Sequence, residues 1–330
     1  MDQVGLPHRT RVRLSRLGFG AAMLGNLYRA MDDETARETV AAAYDSGVRY
    51  FDTAPHYGLG LAERRLGDAL SAYPRSDYVV STKVGRLLVP RDVAPGERDA
   101  EGFDVPATHD RVRDYSRDGV RRSLDSSLER MALDHIDIAL VHDPDEHWEQ
   151  ASREAVPALC ELRDEGVIGA VGIGMNQSAM LTRFVDETDV DVVMCAGRFT
   201  LLEQPALADL LPAALARGVG VVAVGVFNSG VLAADSVPDD ATYDYVQADR
   251  EVLDRARRIR DICHSHGVEL PRAAVQFALS HPAVVSATVG IGTPEMARQD
   301  AALLEPFDTT ALWSDLAASG LIDARILEAV

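Results

Sequence analysis

Cysteine is scarce in this chain: three in 330 residues, at positions 160, 195 and 263, with no C-x-x-C pair. That excludes a disulfide framework and suits a reducing compartment, so a cytoplasmic location is expected and each thiol reads as a small core residue. Long apolar runs are missing too. None approaches the roughly 18 residues of a membrane span, and the opening MDQVGLPHRTRVRLSRLGFG lacks the apolar centre of a signal peptide. Positive charge is in deficit, with 33 basic residues against 52 acidic ones and a formal net charge of -19. A surface of that sign repels phosphate backbones and anionic lipid, so neither nucleic acid nor a membrane is expected as a partner. The acids are spread along the chain (MDDETARETV, VDETDVDV, SVPDDATYDYVQADRE), the pattern of a solvated surface. A Gly-rich dinucleotide fingerprint is also absent. GFGAAMLG does not fit G-x-G-x-x-G, and GLGLAE (58–63) places Glu63 where the third glycine belongs.

What the chain does have is a repeated alternation. Apolar runs RLGFG (16–20), GVRYFDTA (47–54), DYVVSTKV (77–84), HIDIALVHD (135–143), VIGAVGIG (167–174), VDVVMCAG (190–197), VGVVAVGV (219–226) and AVVSATVGIG (283–292) are each followed by an amphipathic stretch. The helices are expected in 32–47, 61–73, 115–131, 148–166, 177–188, 202–218, 245–267 and 294–304. Strands apolar throughout are those of a parallel sheet covered on both faces. Eight strand–helix units predict an α/β fold, a closed (β/α)8 TIM barrel spanning 1–330 as a single domain. Long insertions follow the third strand (86–115) and the seventh (226–246). Both lie on the face where barrel active sites sit, and walls of a substrate pocket are expected there.

Strand ends carry the chemistry. The second ends on Asp52, with Tyr57 in the loop after it; the third ends with Lys83 and the fourth with His142. In a barrel these ends ring one mouth. Tyrosine titrates near 10, too high for easy proton transfer at neutral pH, and a lysine cation beside it favours the phenolate. A buried lysine needs a counter-charge, which Asp52 can supply. A histidine beside the pair can orient a substrate oxygen. Such a set suits proton transfer at an alcohol or carbonyl oxygen, with hydride transfer as the partner reaction and a cofactor to carry it. Singly, each residue has a plainer reading, as a turn cap or a satisfied rim side chain.

On FDTAPHYG with Asp52 and Tyr57, STKVG with Lys83, DIALVHDPD with His142, and RSLDSSLERMALDHIDI (122–138), the chain resembles the aldo-keto reductase family from about residue 13 to about 305. The resemblance implies a nicotinamide cofactor, Tyr57 as general acid/base, Lys83 and Asp52 tuning it, and His142 orienting substrate. KVGRLL, DYSRDGVRRSL, HDPD, VGIGMNQ and GVFNSGVL are similar to the branch holding D-threo-aldose (L-fucose-type) 1-dehydrogenases and pyridoxal 4-dehydrogenase. That branch implies oxidation of a cyclic hemiacetal to a lactone. Expected cofactor contacts are Asn176 for the carboxamide, Phe227, Asn228, Ser229 and Gly230 after the seventh strand, and Gly290, Gly292, Thr293, Met296 and Asp300 around the eighth. Gly290 and Met296 stand where family members preferring NADP usually carry cations, so NAD is expected over NADP. The usual serine after the fifth strand is replaced by Gly174 or Met175, and the usual glutamine after the sixth by Met194, Cys195 or Ala196. His56, Arg86 and Trp148 are expected at the substrate, a small sugar or aldehyde, with Trp148 alternatively a packing residue. Rival readings are an NADPH-dependent carbonyl reductase, a nicotinamide-sensing subunit, and a metal-dependent hydrolase using HDPDEH (142–147) and HSH (264–266). No metal is expected; oligomerisation is left open.

Overall fold

Each apolar run folds as a strand flanked by its sequence neighbours. In the computed structural model, which describes residues 1–7, 10–244 and 246–329, the barrel strands are β1 (Leu17–Gly20), β2 (Tyr50–Asp52), β3 (Val79–Val84), β4 (Ile136–His142), β5 (Ile168–Met175), β6 (Val192–Ala196), β7 (Gly220–Val224) and β8 (Val284–Gly290). Pairing is parallel in sequence order, and β8 returns to β1 in the register Val289 to Phe19, which closes the barrel. The fold class read from the sequence is therefore the one found.

Strand periodicity then sorts the side chains. Tyr50, Ile138, Leu140, Ala170, Val192, Met194, Val222 and Val285 pack together as the barrel interior. Their neighbours Phe51, Val80, Ala139, Val141, Ile173 and Val193 belong to the larger core beneath the helices. Leu6 and Leu14 join the interior cluster. They flank or lie in an antiparallel hairpin, Gln3–Gly5 with Arg13–Ser15, which plugs the N-terminal mouth. Only the C-terminal mouth is left for chemistry.

Helices occupy the expected stretches with shorter bounds: Asp33–Asp45, Leu61–Leu70, Arg117–Met131, Trp148–Asp164 in three contiguous helical pieces, Ser178–Glu187, Leu210–Arg217, Arg250–Ser265 and Pro294–Ala302. The sixth starts late because Pro205–Leu207 forms a separate 3-10 turn. The seventh starts at Arg250, where Asp249 accepts from the Val252 N–H as N-cap; Tyr245, at the expected start, lies outside the described residues. Glu63, the residue in the glycine position of GLGLAE, is fully buried and accepts from Thr82 and Arg130. It holds a helix against the barrel rather than opening a phosphate site.

Three features are additions to the sequence reading. The insertion after β3 contains an antiparallel ladder, Arg86–Pro90 with His109–Arg113. The insertion after β7 contains a 3-10 turn, Asn228–Gly230, and a two-residue ladder, Thr242–Tyr243 with Val246–Gln247. Helices Leu270–Ala278 and Thr310–Ala318 complete the outer layer. Among the described residues no helix is long and apolar enough to cross a membrane. All three cysteines are free, and burial pushes the Cys195 and Cys263 thiols up to about 12, far from nucleophilic use.

Trp313 shows how firmly the C-terminal helix is docked. It is 1% exposed and meets Phe277 edge-on at 5.5 Å between ring centroids. Trp313→Ala is expected to cost about 3–5 kcal/mol in a denaturant titration. A loss under 1 kcal/mol would show that the helix lies on the core without belonging to it.

Candidate active site

The polar end of the barrel interior follows from the same two-residue period. Tyr50 and Asp52 share a face of β2, and Ser81 and Lys83 share a face of β3. The four side chains meet. Lys83 Nζ donates to Asp52 Oδ2 at 2.6 Å, to the Thr53 carbonyl at 2.9 Å and to the Tyr57 hydroxyl at 3.2 Å. An ammonium has three N–H donors, and each has an acceptor. The second Asp52 oxygen accepts from Ser81 Oγ at 2.7 Å, and Ser81 Oγ lies 3.0 Å from the Tyr50 hydroxyl. Asp52 and Lys83 are each 3% exposed. Burial by itself lowers Lys83, but Asp52 and Tyr57 outweigh it and hold the ammonium above its ordinary value.

Tyr57 departs from expectation. Lys83 does pull its phenol down, yet burial is the larger effect and the Asp52 charge adds to it, so the net value lies above the usual 10. Its position is fixed by backbone contact. Gly58 sits at φ 61, and a Cβ there would fall 2.2 Å from the Gly25 carbonyl oxygen; a Cβ on Gly25 would fall 2.7 Å from the Tyr57 carbonyl carbon. Only glycine at both positions lets the loop after β1 press the tyrosine against Lys83.

His142 continues the inward series Ile138, Leu140 at the end of β4. Its imidazole is buried, with Nδ1 lacking a hydrogen-bond partner. Burial, then Lys83 and Arg86, push it well below 6.5, so the ring is neutral. The Tyr57 and His142 rings stand 6.3 Å apart, nearly perpendicular. The main chain behind His142 is held by the buried Tyr115, whose hydroxyl donates to the His142 carbonyl at 2.7 Å. Gly174 lines the space beside Lys83, where a Cβ would stand 3.8 Å from Lys83 Cε.

The insertion after β3 walls this mouth. Phe103 packs edge-on against His56 at 5.3 Å and lies 6.1 Å from Tyr57. Arg111 forks onto Asp99 and donates to the His56 carbonyl at 3.0 Å. Arg86 pairs with Asp143 and approaches His56 Nδ1 at 3.4 Å. Burial and the Arg86 and Arg111 cations lower His56 to about 3, so it too is neutral. Of the expected substrate residues, His56 and Arg86 thus lie together beside Tyr57 and His142. Trp148 does not join them: it packs on Phe184 at 4.6 Å under the Arg183 guanidinium, on the outer helices. Its packing reading is the one the contacts describe.

Groups suited to a dinucleotide lie past β5, β7 and β8. Both side-chain polar atoms of Asn228 are buried without a partner, as is one oxygen of Asp300. Buried polar atoms of that kind call for a ligand or water. Burial pushes Asp300 up to about 7. Asn228, Ser229 and Gly230 run through left-handed backbone that exposes the turn, and Gly230 and Gly290 have open space where a Cβ would sit. Gly292 is covered by Met23. Thr293 caps the helix Pro294–Ala302 by accepting from the Met296 N–H at 3.1 Å. Asn176 is exposed just beyond β5, its carbonyl held by Arg198, and Phe227 is half-buried while Val226 is core. The residues present fit a nicotinamide dinucleotide: an unpartnered amide, an unpartnered carboxyl oxygen and uncrowded glycines along one mouth.

The rival metal reading finds no donor set. Among the described residues no group of three or more His, Cys, Asp or Glu could hold an ion; His264 pairs with Asp235 and His266 with Asp315. A cavity of about 690 Å³ opens at the opposite face, but its Arg49 and Arg75 are committed to backbone carbonyls and Asp137. Sequence reasoning missed Tyr50, Ser81, Phe103 and Asp143. It also passed over one signal: Lys83 is the sole lysine among 33 basic residues.

A (β/α)8 barrel whose C-terminal mouth holds a buried carboxylate–ammonium pair against a tyrosine, with a neutral histidine alongside, defines a proton-handling barrel of the oxidoreductase kind. The chain belongs to the aldo/keto reductase family, which matches residues 16–311; its members are oxidoreductases that use nicotinamide cofactors. It is 47% identical to a D-threo-aldose 1-dehydrogenase of Pseudomonas sp. over 93% of this chain and 94% of that one. It is 38% identical to a pyridoxal 4-dehydrogenase of Microbacterium luteolum, over 95% and 96%. These are the relatives the motifs pointed to. An aldo-keto reductase from Bacillus halodurans, in its holo form, shares the fold at TM-score 0.78 and 24% identity, over 98% and 97% of the two chains.

Removing one member of the buried pair should be costly. Lys83→Met leaves Asp52 uncompensated and is expected to destabilise by roughly 3–5 kcal/mol. Adding Asp52→Asn should restore most of that loss, because an amide needs no cation. Denaturant unfolding of both variants reads the difference; equal stability of the two would show that charge burial is not the cause.

Proposed function

We propose that this protein is an NAD-dependent dehydrogenase that oxidises a cyclic aldose of the L-fucose or D-arabinose type at C1 to a lactone. The observation that carries the reading is the Tyr57 hydroxyl 3.2 Å from a saturated, buried Lys83 ammonium. The 47% identity to an aldose dehydrogenase over nearly the whole length supports the substrate class. In this mechanism the anomeric hydroxyl lies between Tyr57 and His142. Tyr57, as phenolate, takes the hydroxyl proton while Lys83 stabilises the phenolate before transfer. Neutral His142 orients the oxygen by a single hydrogen bond, and Asp52 keeps Lys83 charged and in place. When bound, the nicotinamide cofactor supplies the acceptor for the C1 hydride. The free thiols are in keeping with a cytoplasmic setting.

Cofactor choice rests on the adenosine end. Met296, half-buried against the core, occupies the position at which the family resemblance expects a phosphate-binding cation in NADP users, which supports NAD. Asn228 and Asp300, with their unpartnered polar atoms, are the contacts assigned to the dinucleotide, together with Asn176, Phe227, Ser229, Gly230, Gly290, Gly292 and Thr293.

The decisive measurement is NADH formation from L-fucose, D-arabinose and pyridoxal, the last because of the 38% relative. Turnover with none of these sugars, alcohols or aldehydes would reduce the protein to a nicotinamide-binding module. Tyr57→Phe should lower the rate about 10²–10⁴-fold while NAD binding, read by calorimetry, stays within twofold. Since Tyr57 titrates above 10 in the free protein, oxidation, which needs the phenolate, should accelerate from pH 7 to 10. Reduction, which needs the phenol, should not. A flat oxidation profile would contradict the role of Tyr57.

Met296→Arg supplies a cation for a 2′-phosphate and should improve NADP use about tenfold, the worth of one charge-assisted hydrogen bond. Unchanged NADP kinetics would place the adenosine elsewhere.

A further inference from the structure

We propose that Asp143 is a specificity-determining residue whose carboxylate accepts hydrogen bonds from substrate hydroxyls beside the reacting carbon. This role rests on the dehydrogenase reading above.

The backbone presents Asp143 deliberately. Its φ is 42°, left-handed for a residue with a side chain, a conformation that costs energy and persists only where neighbours impose it. The neighbours are identifiable. The Asp143 N–H donates to the Gly174 carbonyl at 2.9 Å, and the Tyr115 hydroxyl shares its one proton between the His142 carbonyl and the Asp143 carbonyl, the latter at 2.9 Å. Both contacts turn the side chain back over the mouth, where Oδ2 stands 3.5 Å from His142 Nε2 and pairs with Arg86. No hydrogen bond from the described residues reaches Oδ1, and the side chain keeps 32% of its exposure.

Arg86 ties this carboxylate to His56. A guanidinium only donates, so His56 Nδ1, at 3.4 Å, accepts and its proton lies on Nε2. The rim therefore alternates an acceptor, Asp143, with donors from Arg86 and His56. Neighbouring hydroxyls of a sugar ring each donate one proton and accept others, which complements that alternation. For the proton step itself, Asp143 is a handicap, since its charge raises Tyr57 further. A residue that opposes the chemistry yet is held beside it against backbone strain is accounted for by substrate binding. A substrate without adjacent hydroxyls leaves Oδ1 without a hydrogen-bond partner, and a site built around a hydrogen bond that its ligand cannot make discriminates against that ligand.

The test compares two hemiacetals that react at the same carbon: L-fucose, with ring hydroxyls, and tetrahydropyran-2-ol, with none. The quantity read is the ratio of kcat/KM for the first over the second, which cancels any common loss transmitted through His142. In Asp143→Asn that ratio should fall at least about tenfold, through a raised KM for L-fucose. Asp143→Gly, which accepts the left-handed backbone without strain, should show the same fall and guards against misfolding of the first variant. A ratio within twofold of wild type in both variants overturns the role of Asp143 alone. A wild-type protein that forms NADH from neither compound overturns the dehydrogenase reading and this role with it.

Discussion

A lysine ammonium taken out of water needs three acceptors, and the mouth of this barrel is organised around supplying them to Lys83. Asp52, the Thr53 carbonyl and the Tyr57 hydroxyl are those acceptors. All three come from β2 and the turn it opens, so the pairing of β2 with β3 is also the pairing of the charges. Ser81 and Tyr50 then settle the remaining Asp52 oxygen. A half-satisfied arrangement of this kind would cost more than an apolar core. The network is complete, and that completeness fixes where Tyr57 can stand.

The same arrangement explains what the sequence showed and what it hid. Eight apolar runs announce eight buried parallel strands, and polar residues at their ends announce the mouth. The supporting layer, Tyr50 and Ser81, carried a signal of its own: each lies two residues before a charged partner on the same strand face. The single lysine of the chain was a second signal, since a protein that covers its surface with arginine and keeps one lysine has placed it for its chemistry. Helix Leu270–Ala278 was not legible because it follows another helix directly, with no strand between to frame it. The ladder Arg86–Pro90 with His109–Arg113 closes over 18 intervening residues and leaves no local turn signature. Trp148 and Asp143 each lie one residue past a histidine, in DEHW and LVHD; tertiary packing sends one to the outer helices and the other to the mouth.

Sequence could name the partners of Tyr57 but not weigh them. Lys83 favours the phenolate, whereas burial and Asp52 favour the phenol, and the second pair prevails. The balance depends on how much water reaches the ring, a property of the assembled mouth with Phe103 over it and Gly25 pressed behind. A tyrosine held as phenol in the free protein is a ready proton donor and a reluctant acceptor.

The buried network and the rim are built on different elements, which meet at His56 and Tyr57. The proton-handling residues Asp52, Lys83 and His142 sit on strands, where the closed barrel prevents drift. The rim residues His56, Arg86 and Asp143 sit at or beyond strand ends, joined to the insertion through Phe103, Arg111 and Asp99. Contacts cross the division: Asp143 Oδ2 stands 3.5 Å from His142 Nε2, and the His56 ring lies 5.9 Å from Tyr57 and 5.8 Å from His142. Whatever occupies the rim therefore meets His142 as well. The rim and the strand-borne residues are thus physically joined at Asp143 and at His56.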